Sequence, residues 1–207
     1  MTKSTRYTIP ADRYETEEII QKSRFITVLA PVCSADEVQA FFESIRSEHP
    51  DATHHCWAFL IGPPGSSANV GMSDDGEPHG TAGRPMLNVL SHSGIGDIAA
   101  MVVRYYGGTK LGKGGLARAY GNGVALALAG LKVLEKVSYR RVRLLLDYAF
   151  VDPLKRALAE HGVQVAEEHY GQDASFILDV PEDEFDRFAG HLVQMTAGAA
   201  ILETESR

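Results

Sequence analysis

The segment IAAMVVRYYGGTKLGKGG, residues 98–115, joins a strand pattern to a glycine-rich turn and the start of a helix. Residues 98–106 form an almost unbroken apolar run, which is typical of a strand covered on both faces. Gly107 and Gly108 end the run, and the stretch rich in Ala, Leu and Gly from about Gly114 to Leu134 predicts a helix that packs closely on a sheet. We therefore expect helices to cover a sheet in this part of the chain.

The residues before this segment predict further strands and two helices. Tyr14 to Val32 contains two extended pieces, and the second has apolar side chains on both faces. Ser34 and Glu37 form a capping box, so we expect a helix that continues until Pro50 prevents it. The remaining predicted elements are a strand at 54–61, an exposed loop at 62–67, a turn-rich loop at 73–85 and a short helix through 86–90.

Beyond Lys136 the pattern has the order βαββαβ. The predicted strands are 139–148, 163–170, 175–180 and 200–205, and the predicted helices are 152–161 and 182–196. This order within about 70 residues is typical of a ferredoxin-like split βαβ sandwich. We therefore predict an α+β fold class with two domains, 1–136 and 137–207.

The charge of the chain is unevenly divided at this boundary. The 20 basic and 27 acidic residues give a net charge of −7, which argues against a protein that coats nucleic acid by bulk charge. However, residues 137–207 hold 7 basic and 13 acidic side chains, whereas residues 1–136 hold 13 and 14. No acid lies between Asp97 and Glu135, a stretch that contains Arg104, Lys110, Lys113, Arg118 and Lys132. A basic surface in the first domain is therefore compatible with the acidic total.

The composition favours a globular protein of the reducing cytosol. With 44% hydrophobic and 23% charged residues, the chain is too apolar for disorder. The longest apolar stretches, 98–103 and 124–131, are shorter than the roughly 20 residues of a transmembrane helix, and the first residues lack a signal-peptide core. Cys33 and Cys56 are too few for a disulfide scaffold. We therefore expect a cytoplasmic protein that does not enter a membrane.

The glycine-rich turn is a candidate anion site. Residues 107–113, GGTKLGK, match the spacing of a phosphate-binding P-loop between a strand and a helix. Gly114 replaces the Ser or Thr that would bind Mg²⁺, and the strand lacks a metal-holding acid, so a nucleotide hydrolase is not predicted. Free N–H groups at a helix start would still attract an anion, unless the glycines serve only tight packing. The candidate residues for an anion or nucleic acid are Arg104, Tyr105, Lys110, Lys113, Gly114, Gly115 and Arg118.

A second candidate site is the carboxylate cluster Asp74, Asp75 and Glu77 on the turn-rich loop. These groups would hold a divalent ion or transfer protons, although Asp-Asp-Gly is also typical of a simple turn. The spacing matches neither an EF-hand nor a zinc motif, and His54 and Cys56 on the predicted strand add at most two ligands. The sequence therefore predicts no resident metal or cofactor.

The assembled motifs resemble those of one family. Residues 73–85 (SDDGEPHGTAGRP), residues 102–115 (VVRYYGGTKLGKGG) and the preceding HHCWAF are similar to segments of the IMPACT/YigZ family, and the resemblance covers most of the chain. It implies a first domain with the left-handed βαβ crossover found in ribosomal proteins, in domain IV of elongation factor G and in GHMP kinases. It also implies that the ferredoxin-like second domain is similar to the last domain of elongation factor G.

The resemblance also implies a role connected with translation. Eukaryotic members are implicated in regulating translation initiation by competing, through an additional N-terminal domain, for the activator of a starvation-responsive kinase. Because this chain enters the shared region near its start, we expect that kinase-linked role not to transfer. The expectation is a non-enzymatic regulator that binds RNA, the ribosome or a translation factor, with the acidic second domain either facing away or meeting a protein partner.

Two other hypotheses remain open at this point. The first is a metal-dependent enzyme that acts on a small phosphorylated substrate. In it, the glycine-rich turn would bind phosphate, and Asp74, Asp75 and Glu77 would hold a divalent ion or move protons. The second is a protein whose turn-rich loops serve only its folding.

Overall fold

The computed structural model describes residues 5–66 and 68–204. The described residues form two compact units that meet at the boundary between Lys136 and Val137, unit 1 before it and unit 2 after it. Both units contain helices and strands, so the predicted α+β class with two domains is confirmed. Ser67 and Glu205, which end a predicted loop and a predicted strand, lie outside the described residues. No helix within the described ranges is both long enough and apolar enough to cross a bilayer.

Unit 1 is built on a five-stranded antiparallel sheet. In chain order the strands of unit 1 are β1 (Arg6–Pro10), β2 (Tyr14–Ile20), β3 (Ser23–Pro31), β4 (His54–Leu60), β5 (Val70–Ser73), β6 (Ile98–Tyr105) and β7 (Val133–Val137), of which the last residue is the first of unit 2. The sheet has the order β2-β3-β6-β4-β5, and β1 pairs separately with β7. The central strand β6 is buried from Ile98 to Arg104, as its unbroken apolar run predicted.

Helices cover both faces of this sheet. The helices of unit 1 are α1 (Ala35–Glu48), α2 (Gly83–His92) and α3 (Gly112–Gly130). Phe42 and Ile45 of α1 pack against one face, and residues of α2 and α3 such as Met86 and Tyr120 pack against the other. Since β3 and β4 both run antiparallel to β6, which lies between them, α1 connects two parallel strands in a split βαβ arrangement.

The start of α1 shows how local sequence determines a helix boundary. The Ser34 hydroxyl accepts the Glu37 N–H at 3.2 Å, and the Glu37 carboxylate accepts the Cys33 N–H at 2.7 Å. The predicted capping box is therefore confirmed, with its return bond directed to the residue before the N-cap.

The end of α3 differs from the prediction. The helix ends at Gly130 rather than Leu134, and Val133–Val137 continue as β7, which pairs with β1. A Cβ at Gly130 would lie 2.3 Å from the Tyr14 hydroxyl oxygen, so the helix end packs tightly on β2. The apolar residues after Gly130 prolong the helical pattern in the sequence, but pairing with a distant strand outweighs that local preference.

Unit 2 has the predicted ferredoxin-like topology. Its strands are β8 (Tyr139–Leu146), β9 (Gln164–Tyr170), β10 (Ala174–Pro181) and β11 (Ile201–Thr204), and its helices are α4 (Val151–Glu160) and α5 (Phe185–Thr196). The sheet is antiparallel with the order β11-β8-β10-β9. Leu154 and Leu158 of α4 share one core with Phe188 and Leu192 of α5 on a single face of this sheet.

Candidate nucleic-acid interface

The glycine-rich turn between β6 and α3 is fixed against the turn that joins β2 to β3. The Gly107 N–H donates to the Ser23 hydroxyl at 3.2 Å. A Cβ at Gly107 would lie 2.0 Å from the Lys22 carbonyl oxygen, so only glycine permits this approach of the two backbones. The turn therefore has one defined position relative to the edge of the sheet.

The positions of this turn differ in whether the structure requires a glycine there. Gly108 and Gly112 adopt φ values of +85° and +70°, which favour glycine, and a Cβ at Gly115 would lie 3.0 Å from the Leu111 side chain. Gly114 has neither a positive φ nor any heavy atom within 4 Å of a Cβ built on it. Packing within the described part of the chain thus explains why residue 107 is a glycine, but it does not explain the glycine at 114, which faces open space.

The first turn of α3 has no side-chain cap. Leu111 stands at the N-cap and accepts no hydrogen bond through its side chain, so the first N–H groups of the helix have no side-chain cap acceptor. Aligned peptide dipoles add partial positive charge at this end of a 19-residue helix. The helix start therefore favours an anionic partner.

Three predicted cations surround this helix start. Lys110, Lys113 and Arg118 are exposed, and none has an ion-pair or side-chain hydrogen-bond partner within the described ranges. Arg118 follows Gly114 by four residues, so the two lie on one face of α3. These charges are free to meet phosphate groups.

A fourth cation was not predicted from the sequence. Lys22 occupies the turn after β2 with a φ of +67°, and it is exposed. It lies far from residues 107–118 in the chain, and the close contact of its backbone with Gly107 places it beside the glycine-rich turn. We refer to Lys22, Lys110, Lys113 and Arg118 as the cationic surface.

Arg104 has a different environment from the other predicted cations. Its side chain is only 5% exposed, and Nη1 donates to the Glu77 carboxylate at 2.6 Å. The guanidinium also lies 5.3 Å from the ring centroids of both Phe25 and Tyr106, and Nε is a buried atom without a partner among the described residues. The charge of Arg104 is therefore matched inside unit 1 instead of being presented to solvent.

The two tyrosines that follow Arg104 separate in the structure. Tyr105, the predicted binding residue, is partly buried on the α1 side of the sheet, and its hydroxyl lies 3.0 Å from His49 Nδ1. Tyr106 is 45% exposed, and its N–H donates to the Thr53 hydroxyl at 3.1 Å. Tyr106 is therefore the aromatic side chain that is open for stacking on a base, whereas Tyr105 packs against the core.

Asp74 of the carboxylate cluster is held by backbone donors. Its carboxylate accepts N–H groups from Gly80 at 2.7 Å and from Ala82 and Gly83 at 2.9 Å. Burial raises the pKa of the Asp74 carboxyl, but these donors outweigh burial, so the pKa lies below its ordinary value. Asp74 thus stays ionised and stabilises the start of α2.

Asp75 and Glu77 bind other partners. Asp75 accepts the His55 N–H at 2.6 Å. Glu77 is 3% exposed in its side chain and accepts the Tyr120 hydroxyl at 2.8 Å in addition to Arg104. Within the described ranges, the three carboxylates are not among the side chains close enough together to share a metal ion. In this arrangement each acid of the cluster stabilises the turn-rich loop.

The buried side chains beneath this loop are poorly suited to proton transfer at neutral pH. The Cys56 thiol donates to the Asp74 carbonyl at 2.9 Å, and burial, more than any other factor, raises its pKa to about 12. Burial also raises the pKa of Tyr120 above its ordinary value. Both groups therefore remain protonated and act as hydrogen-bond donors.

Two family models match the two units. The Impact N-terminal domain matches residues 21–128, and a domain of unknown function, DUF1949, matches residues 144–199. The first match covers four of the five strands of the sheet of unit 1, β3 to β6, together with the turn-rich loop and the glycine-rich turn. The second lies within the ferredoxin-like unit.

Relatives of similar length match nearly the whole chain. The "IMPACT family member" of Haemophilus influenzae is 40% identical over 197 residues, covering 95% of this chain and 96% of the relative. The "IMPACT family member YigZ" of Escherichia coli is 41% identical over 194 residues, covering 94% and 95%. A crystal structure described as that of a hypothetical protein has a TM-score of 0.71 and 39% identity and covers 100% of both chains. The chain belongs to the IMPACT family, as its motifs predicted.

Proposed function

We propose that this protein binds RNA through the cationic surface and acts in the regulation of translation without catalysing a reaction. Membership of the IMPACT family supports the connection with translation. The four cations Lys22, Lys110, Lys113 and Arg118 supply contacts to phosphates, and the N–H groups around Gly114 supply a hydrogen-bonding site for one of them. Tyr106 offers a ring on which an unstacked base can rest.

The contrast in charge pairing is the observation that carries this proposal. Every acid of the turn-rich loop is bound by donors of the protein itself, as described above, whereas the cations of the glycine-rich turn are exposed and unpaired within the described ranges. A catalytic carboxylate needs access to substrate, and a phosphate contact needs a free cation. The cationic surface meets the second requirement, and it therefore supports binding of a polyanion.

The negative charge of the chain is consistent with this proposal. The net charge of −7 is concentrated in unit 2, whose 13 acids outnumber its 7 basic residues. In the proposal unit 2 does not contact the phosphate backbone and is the surface for a protein partner. Association with RNA then depends on local cations and on ionic strength rather than on net charge.

Binding of single-stranded RNA to the full chain as a function of salt tests the proposal. Log affinity is expected to fall linearly with log salt, with a slope of about −0.7 per phosphate contact. The triple variant Lys110→Glu, Lys113→Glu, Arg118→Glu removes three contacts, so we expect at least a tenfold loss of affinity near physiological salt and a slope flatter by about 2.

A charge-reversal control in unit 2 separates site binding from bulk charge. Lys155 and Arg156 are exposed residues of α4 in unit 2, and their reversal to Glu changes the net charge without touching the cationic surface. This control is expected to retain most of the affinity. If it loses as much affinity per charge as the triple variant, or if the triple variant binds RNA normally, the proposed interface is wrong.

A further inference from the structure

Unit 2 contains a group of three metal-ligating side chains that the proposed function does not use. Glu160 is the last residue of α4, His161 follows it directly, and His191 lies in α5. One ligand atom from each side chain lies within 4.8 Å of the other two. Among the described residues this is the group of His, Cys, Asp and Glu side chains that is compact enough to hold an ion. We call it the His161–His191 cluster.

The spacing of the two imidazoles fits a shared ion. His161 Nε2 lies 3.1 Å from His191 Nδ1, and the ring planes are inclined by 66°. Two nitrogens bound to one tetrahedral Zn²⁺ at about 2.05 Å are separated by about 3.3 Å. The separation of the two nitrogens is therefore close to that at a shared ion, which would replace the hydrogen bond between the rings, and the exposed Glu160 carboxylate can supply the third ligand.

The other nitrogen of His161 is already oriented by a carboxylate. His161 Nδ1 lies 3.1 Å from Glu184 Oε2, while the second oxygen of Glu184 accepts from Arg187 at 3.1 Å. A proton on Nδ1 directed at Glu184 leaves the lone pair of Nε2 pointing toward His191. This is the carboxylate–histidine arrangement that holds the ligating tautomer at many zinc sites.

Local electrostatics also favour a cation at this position. The cluster lies at the carboxyl end of α4, where the last carbonyl groups carry partial negative charge. Glu160 and Glu184 add two carboxylates, and Arg187 offsets one of them through its bond to Glu184. His161 is only 10% exposed and packs edge-on to Phe188, which holds its ring in place.

We propose that the His161–His191 cluster binds a divalent transition-metal ion of the Zn²⁺ type. His161 Nε2, His191 Nδ1 and the Glu160 carboxylate are its protein ligands, and Glu184 is the positioning residue. Imidazole suits such ions better than it suits Mg²⁺ or Ca²⁺, which prefer oxygen ligands. The bound ion links the end of α4 to α5 within unit 2.

Calorimetric titration of the full chain with ZnCl₂, after dialysis against a chelator and then against chelator-free buffer, tests this site. We expect one ion per chain. The variant His191→Gln should lower the affinity at least tenfold. Glu184→Gln, which keeps the hydrogen bond but not the charge, should lower it between 10- and 100-fold. His169→Gln, which alters an exposed histidine of the same unit, should bind Zn²⁺ like the parent.

A second measurement reports the geometry of the site. Co²⁺ bound by two imidazoles, a carboxylate and one solvent water in four-coordinate geometry should give strong visible absorption, and Zn²⁺ should displace it. Circular dichroism establishes that each variant is folded, and Glu160→Gln, at an exposed position, provides a ligand variant that leaves the packing around His161 intact. Failure to bind Zn²⁺ at millimolar concentration, or equal affinity in the parent and His191→Gln, would overturn the proposal.

Discussion

Replacing Glu77 by Gln should strongly destabilise unit 1. Glu77 and Arg104 are 3% and 5% exposed in their side chains, and their atoms lie 2.6 Å apart. Glutamine has nearly the same shape and keeps an oxygen that can accept the Tyr120 hydroxyl. The substitution therefore removes the negative charge and leaves the Arg104 guanidinium buried without a counter-ion.

The size of the effect follows from this burial. Removing one partner of a buried ion pair costs about 3–5 kcal/mol, because the remaining charge has lost both water and its counter-ion. If the free energy of unfolding of unit 1 falls by about 2 kcal/mol per molar urea, the urea concentration at the midpoint of unfolding should fall by roughly 2 M. Arg104→Met in the Glu77→Gln background removes the orphan charge and should recover part of this loss.

The single tryptophan makes the assay specific for unit 1. Trp57 lies on β4 and packs against Phe42 with ring centroids 4.8 Å apart, so its fluorescence reports the unfolding of this unit. The matched control is Glu17→Gln, which breaks an exposed pair with Arg24 and should leave the midpoint nearly unchanged. If Glu77→Gln behaves like this control, or if Arg104→Met adds to the loss, the buried pair does not stabilise the fold as described.

Two further predictions concern acid and thiol chemistry. The lowered pKa of Asp74 means that its ionised form stabilises unit 1 above about pH 4, and this contribution is lost as the pH falls through the lowered pKa. Asp74→Asn should therefore show a smaller drop in urea midpoint between pH 6 and pH 3 than the parent, and an equal drop would contradict the assignment. Iodoacetamide at pH 8 should modify the exposed Cys33 of the native chain, whereas the buried Cys56, with its pKa of about 12, should react only in denaturant. Mass spectrometry of the two peptides measures both rates, and equal rates would show that Cys56 is accessible.

The elements that local sequence could predict are those with a strong local cause. The apolar run of β6, the capping box of α1 and the βαββαβ order of unit 2 each depend on residues that are neighbours in the chain. The end of α3 at Gly130 and the strand β7 were not predicted, because they depend on Tyr14 and β1 more than 100 residues earlier.

The partners of the charged side chains required the tertiary structure. Arg104 and Lys110 are equivalent cations in the sequence, yet β6 carries Arg104 into the core against Glu77, while Lys110 lies on an exposed turn. No pattern in the sequence indicated Lys22 as a binding residue, since its position beside Gly107 arises only from the packing of two turns that are distant in the chain. The predicted phosphate-binding set remains a prediction, and the structure indicates which of its members are exposed.

The sequence by itself determined the family, the two-domain α+β class and the presence of a glycine-rich turn beside cations, because long motifs and periodic patterns are local properties of the chain. Only the tertiary structure decided which charges are paired. Glu77 and Arg104 form an ion pair in the core, whereas Lys113 and Arg118 near the start of α3 are exposed and have no ion-pair partner within the described ranges. The fold also brings His161 Nε2 within 3.1 Å of His191 Nδ1, although 30 residues of chain separate them. Charge pairing depends on distance and on exclusion of water, and neither is encoded in the spacing of residues along the chain.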